Sequence, residues 1–170
     1  YLSFLSTVEN LLEDKSKQLA LNKSLNAQLE SIELTAEDAN SVVLDIIDID
    51  GFEQNYPRAY QAANNLENNF MSVVSNSTDM LTVKTLNTLD IVKNEQTYYL
   101  EEVVRTVDLI KPAIEQTHSD LYSSLKEYVD ILENNIKGSN SLAANKKRLI
   151  DSITLTQSEL AQSEQATKMA

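Results

Sequence analysis

The chain has no cysteine and no tryptophan, and only 2 glycines, 2 prolines and 1 histidine among its 170 residues. Each shortage excludes something. Without cysteine there is no disulfide framework, zinc–thiolate site or cysteine nucleophile. The lone histidine, His118, makes neither a His-containing metal site nor a triad without partners. Its neighbours Ser119 and Asp120 do not face it on a helix. Glycine and proline punctuate loops, so a chain this poor in both has few breaks. Few breaks favour a few long helices over a barrel or sandwich. Basic residues are scarce too: 14 Lys and Arg stand against 26 Asp and Glu, a net charge of −12. A field of that sign repels phosphates and argues against nucleic acid and anionic membrane surfaces. No run of about 18 apolar residues occurs, so no segment of these residues reads as a membrane span. The chain opens on Tyr1 with no basic-then-apolar leader, which reads as a processed protein or a piece of a longer one.

What is present is helical periodicity, and 170 residues suit a single domain, 1–170. The strongest pattern lies between Tyr98 and Ile136. Val103, Val107, Ile110, Ile114, Leu121, Tyr128 and Ile131 keep a four-three spacing. A second row at Leu100, Val104, Leu125, Val129, Leu132 and Ile136 widens the stripe. This predicts a central helix, kinked at Pro112 but continuous. A first helix is expected from Leu2 to Ile49. Its register Leu25, Leu29, Ile32, Ala36, Ala39, Val43 and Ile46 is unbroken, and the two alanines would let a neighbour approach closely. Asp48 to Pro57 reads as a loop, with Gly51 as a C-terminal cap and Pro57 opening the second helix. That helix is expected to kink or break at Asn76-Ser-Thr-Asp and to end near Lys93–Glu95; the alternative places the reversal at Asn76. Gly138 is a strong stop. A last helix from Ser139 carries the thin stripe Leu142, Leu149, Ile153 and Leu160.

Catalytic and metal motifs are weak. Asp48, Asp50 and Gly51 mimic part of a calcium loop, but Ile46 and Pro57 stand where carboxylates are needed. Most other carboxylates lie off the apolar stripe, where they solvate helices. The reading is therefore a non-enzyme with no cofactor and no metal. Arginine is more informative because only Arg58, Arg105 and Arg148 occur. Arg58, Tyr60, Tyr128 and Arg148 are expected to converge near the end of the bundle holding the 51–57 and 137–140 loops. Guanidinium and phenol groups there would receive a small carboxylate or an amphipathic ligand.

Together these elements predict an all-α, antiparallel up-down-up-down four-helix bundle with long helices. The heptad run Val103 to Ile131, the loop Gly51 to Pro57 and the stop at Gly138 make it resemble the extracytoplasmic sensor domains of bacterial chemoreceptors and sensor kinases. The resemblance implies a periplasmic, ligand-binding domain of an inner-membrane protein, attached to the membrane through segments outside these residues and signalling by small helix displacements. The rival readings are a non-enzymatic helical scaffold, secreted or intracellular, that binds other proteins, and a helical subunit of a toxin or surface complex. The polar stretch after Leu160 leaves Leu2, Phe4, Leu5, Val8 and Leu12 under-covered, which predicts a homodimer through that end.

Overall fold

A computed structural model describes residues 2–169; Tyr1 and Ala170 lie outside the described residues. Six helices follow one another: α1 (Leu2–Ile47), α2 (Phe52–Asn55), α3 (Pro57–Thr82), α4 (Leu86–Ile114), α5 (Ser119–Ile136) and α6 (Leu142–Met169). There is no strand among the described residues. The all-helical expectation holds, with six helices in place of four.

The first helix is the spine. It spans 46 residues, about 69 Å at the usual rise. Its predicted register is buried at Leu25, Ile32, Ala36, Ala39, Val43 and Ile46. Each such aliphatic side chain contributes roughly 1.5–3 kcal/mol when removed from water, less for alanine. The helices α3, α5 and α6 all pack against α1, while α4 packs on α3 and α5. The upper part of α1 therefore lies in a shared core with α3, α4 and α5. Below Leu25 the character changes. There α6 runs antiparallel to α1, as the pairings of Gln18 with Ser152 and Thr156 and of Gln28 with Asn140 and Asn145 require. The two form a stalk beneath the head.

The chain reverses where the periodicity is silent. The expected central helix is broken at Glu115–His118, and its halves become α4 and α5. A four-residue interruption is close to one helical turn, so the spacing from Ile110 and Ile114 to Leu121 passes through it in phase. Periodicity alone cannot register such a turn. Residues 115–120 are all exposed. Pro112 sits in the last turn of α4 rather than at a kink midway along a longer helix.

The boundary expected at Lys93–Glu95, or at Asn76, lies instead at Val83–Thr85. Val83 is extended, and the Thr85 side chain accepts from the backbone N–H of Thr88 at 3.2 Å, capping α4. Asn76-Ser-Thr-Asp stays helical, buried against the neighbouring helix at Asn76 and Ser77, and its hydroxyls bond back along the helix. Ser77 Oγ donates to the Val73 carbonyl and Thr78 Oγ1 to that of Val74. Across the hairpin, Gln96 is only 1% exposed, and its Nε2 donates to the Val73 carbonyl at 2.9 Å and to Ser77 Oγ at 2.6 Å. The helix α1 ends two residues before the expected Ile49, and α6 begins at Leu142, where Ser141 Oγ accepts from the Ala144 N–H.

Another buried polar group ties α6 to the head. Lys146 is 7% exposed, and its Nζ donates to the Leu81 carbonyl at 2.9 Å. That carbonyl belongs to the last turn of α3, where the helix dipole favours a cation. Desolvation lowers the Lys146 pKa from its ordinary value. In the stalk, burial and then the charge of Asp14 on the facing helix push the Glu159 carboxyl above its ordinary value. A carboxyl raised in the folded state stabilises the fold below its unfolded pKa, and that contribution is lost as pH rises through the raised value.

Two measurements check this packing. Gln96→Ala leaves the Val73 carbonyl and Ser77 with one donor fewer in a dry core and is expected to cost about 1–3 kcal/mol in urea unfolding. Glu159→Gln is expected to raise the melting temperature at neutral pH. It should also flatten the decline in stability as pH climbs from the unfolded carboxylate pKa, about 4.3, toward 7. A variant melting no higher than the parent at pH 7 would contradict the paired-carboxylate seam.

Candidate functional site

The four residues singled out from the sequence do not all come together. Arg58 is exposed on the first turn of α3, beside Pro57 and close to Leu109. Tyr60 is half-buried, its ring edge-on to the buried Phe52 at 6.2 Å between centroids. Tyr128 is half-buried against the core from α5. Arg148 is exposed on α6, donating to the Ser139 carbonyl at 2.7 Å and to Asn145 Oδ1. The structure places Arg58 and Tyr60 near one another, but Arg148 lies with the 137–141 loop at the far end of α5. That separation is about 27 Å for the 18 residues of α5. The reversal at 115–118 is the cause. It sets the 48–56 segment beside Thr117 and His118, so the 137–140 loop falls at the opposite end.

At the head's outer end, Ile49, Gly51, Phe52, Tyr56, Ile114 and His118 line a small cavity of about 210 Å³. Gly51 has φ 77°, and a Cβ there would meet Asn55 Nδ2 at 3.0 Å, so the turn requires glycine. His118 is exposed, with Nδ1 3.0 Å from Thr117 Oγ1. Among the described residues no group of three or more His, Cys, Asp or Glu is placed to hold a metal ion. No helix of the described residues is long and apolar enough to cross a membrane.

A larger feature went unnoticed in the sequence. The faces of α1 and α3 leave a groove of about 340 Å³ between them. From α1 come Glu33, Ala36, Glu37 and Asn40; from α3 come Glu67, Phe70, Met71 and Val74, with Ser75 beside them. Both sets follow the same i, i+3, i+4, i+7 spacing, one face of each helix over two turns. Ala36 explains the space, since a larger residue would fill it. Phe70 and Val74 give an apolar floor. Met71, 63% exposed, forms an apolar wall. The carboxylates are exposed at the rim, and the Asn40 Oδ1 is shielded from water with no hydrogen-bond partner. One weak signal was legible. Glu33 and Glu37 are like charges at i, i+4, a pairing that mildly weakens a helix and that also occurs at Glu9 and Glu13.

The stalk carries the third feature. Its internal seam is polar at Gln18, Ser152 and Thr156 and at Asp14 and Glu159. Its outer surface is not. Leu5, Leu12 and Leu19 are exposed at seven-residue intervals along α1, with Leu12 at 66% and Leu19 at 65%; Ile153 and Leu160 repeat that interval on α6.

Compared with known protein families, curated proteins and solved structures, the chain matches none.

Proposed function

We propose that this chain is a non-enzymatic, extracytoplasmic ligand-binding sensor domain of a bacterial chemoreceptor or sensor kinase, transmitting its signal by small displacements of one helix along another. In this reading the head is an up-down-up-down antiparallel bundle. Its four rods are α1, α3, α4, and α5 continued by α6.

The observation that carries the proposal is the stalk. Phe4 and Thr167 line one cavity, so the beginning of α1 and the end of α6 lie side by side, away from the head. A signal entering between head helices has one mechanical outlet, the α1–α6 pair. Its seam suits sliding, because hydroxyl and amide groups exchange partners over a short translation. Interlocked leucines would resist it. Helix shifts of about 1–2 Å are a known mode of transmission. A ligand drives one only through different affinities for the two positions. Periplasmic placement in an inner-membrane protein is part of this reading, as is reception of a small ligand.

The exposed leucine row favours a homodimer. A stripe repeating every seven residues on each helix matches a second copy of itself without a register shift. The same stripe gives some support to a second reading, a helical scaffold that binds other proteins through its stalk.

Two experiments test these readings. Sequencing the coding region on both sides is expected to reveal an apolar segment of about 20 residues preceding residue 1 and another following residue 170. The absence of both rules out the sensor. Sedimentation equilibrium is expected to show concentration-dependent dimers that Leu12→Glu and Leu19→Glu abolish, while Leu34→Glu, on an exposed head position, leaves them intact. A strict monomer at high concentration counts against the dimer.

A further inference from the structure

We infer that the α1–α3 groove is a ligand site, and that its ligand is a small amphiphilic cation, an ammonium group carrying a short apolar body. The inference rests on the sensor reading for its consequence in the stalk, and on the groove alone for the binding.

Charge is the first argument. Every ionisable residue lining the groove is a glutamate: Glu33, Glu37 and Glu67. No Lys or Arg occurs between Ser24 and Pro57, nor between Ala59 and Val83, so both walls lack basic residues along their length. Elsewhere the protein neutralises carboxylates by helical ion pairs, at Glu13, Glu102, Glu115, Asp130 and Glu133. None of the groove's glutamates has such a partner among the described residues. Three uncompensated negative charges over an apolar surface draw cations and reject carboxylates.

The groove's shape says which cation. A metal ion needs converging ligands, and these carboxylates form no such cluster. They sit at the rim of a floor made by Ala36, Phe70 and Val74, with Met71 beside it. About 340 Å³ is the size of a small-molecule site and much larger than a bare ion. An apolar body fits the floor, where the thioether of Met71 adapts to its outline. A neutral apolar ligand would satisfy the floor but leave the glutamates unpaired; an anion would be repelled.

Calorimetric titration with three matched probes tests this: 2-phenylethylammonium, neutral 2-phenylethanol and 3-phenylpropionate. The ammonium is expected to bind, with an affinity that falls as salt is added. The alcohol should bind at least about tenfold more weakly, and the propionate not detectably. Glu37→Gln and Glu67→Gln should each weaken ammonium binding, and Glu33→Gln/Glu37→Gln/Glu67→Gln should reduce it about tenfold or more. These carboxylates are exposed, so circular dichroism of each variant should be unchanged. Arg58→Ala and Arg148→Ala should bind the ammonium as the parent does. Absence of ammonium binding, equal binding of the propionate, or a triple variant that binds like the parent overturns the site.

Spin labels at Ser16→Cys and Ser158→Cys, in a chain with no other cysteine, then read the stalk. A change of spacing on ammonium binding upholds the link between site and stalk. Binding with an unchanged spacing leaves the site standing and removes the sensor mechanism.

Discussion

The structure is arranged by the need to cover one stripe on α1. Leu25, Ile32, Ala36, Ala39, Val43 and Ile46 cannot be buried by a lone helix, and the stripe is too long for one neighbour of ordinary length. The helices α3 and α5 cover its upper part and α6 its lower end. This division creates the head and the stalk. Where α3 and α5 close over α1, with α4 packed behind them, the buried face of α1 is mostly aliphatic. Where only α6 remains, two helices cannot exclude water, and the seam is built from side chains that tolerate it. The change in α1 from aliphatic to polar facing residues below Leu25 follows from that geometry.

Within the head, register is set by a few polar side chains rather than by the aliphatic packing alone. Leucine and valine contacts are non-directional, so a hairpin shifted by one turn would bury comparable area. Gln96 is satisfied only when it meets the Val73 carbonyl and Ser77. Lys146 is satisfied only at the C-terminal end of α3, where the Leu81 carbonyl lacks a partner within its helix. A slip at either point would leave a buried amide or ammonium unpaired, which costs more than the bond itself contributes. These two side chains make one arrangement of amphipathic helices better than its neighbours.

Charge is distributed with the same economy. Residues 1–50 carry 10 acidic and 3 basic side chains, net −7, and residues 139–170 carry 3 acidic and 4 basic, net +1. Within the stalk, residues 2–25 of α1 carry 3 acidic and 3 basic side chains, so the acid excess of α1 lies in the head, at Glu30 and beyond. In the head, α1 and α3 present acid to each other across a shallow apolar groove with nothing basic between them.

The amino-acid sequence by itself determined the helical class, the unbroken α1, the turn at Gly51 with Pro57 opening α3, and most of the core face, because these depend on local periodicity and on backbone preferences of single residues. It also placed the under-covered apolar end of α1 correctly, since Leu5 and Leu12 are exposed. The number of helices was decided elsewhere. A four-residue reversal at 115–118 keeps the heptad phase, so only packing against α1 reveals that α5 folds back. The same holds for Val83–Thr85, where no glycine or proline marks the turn and Thr85 is a cap only because the chain reverses there. The reversal at 115–118 separates Arg58 from Arg148, whereas the turn at 48–56 lays Glu67 and Phe70 beside Glu33 and Ala36; which faces of α1 and α3 meet across that turn, and the groove they leave, only packing decided.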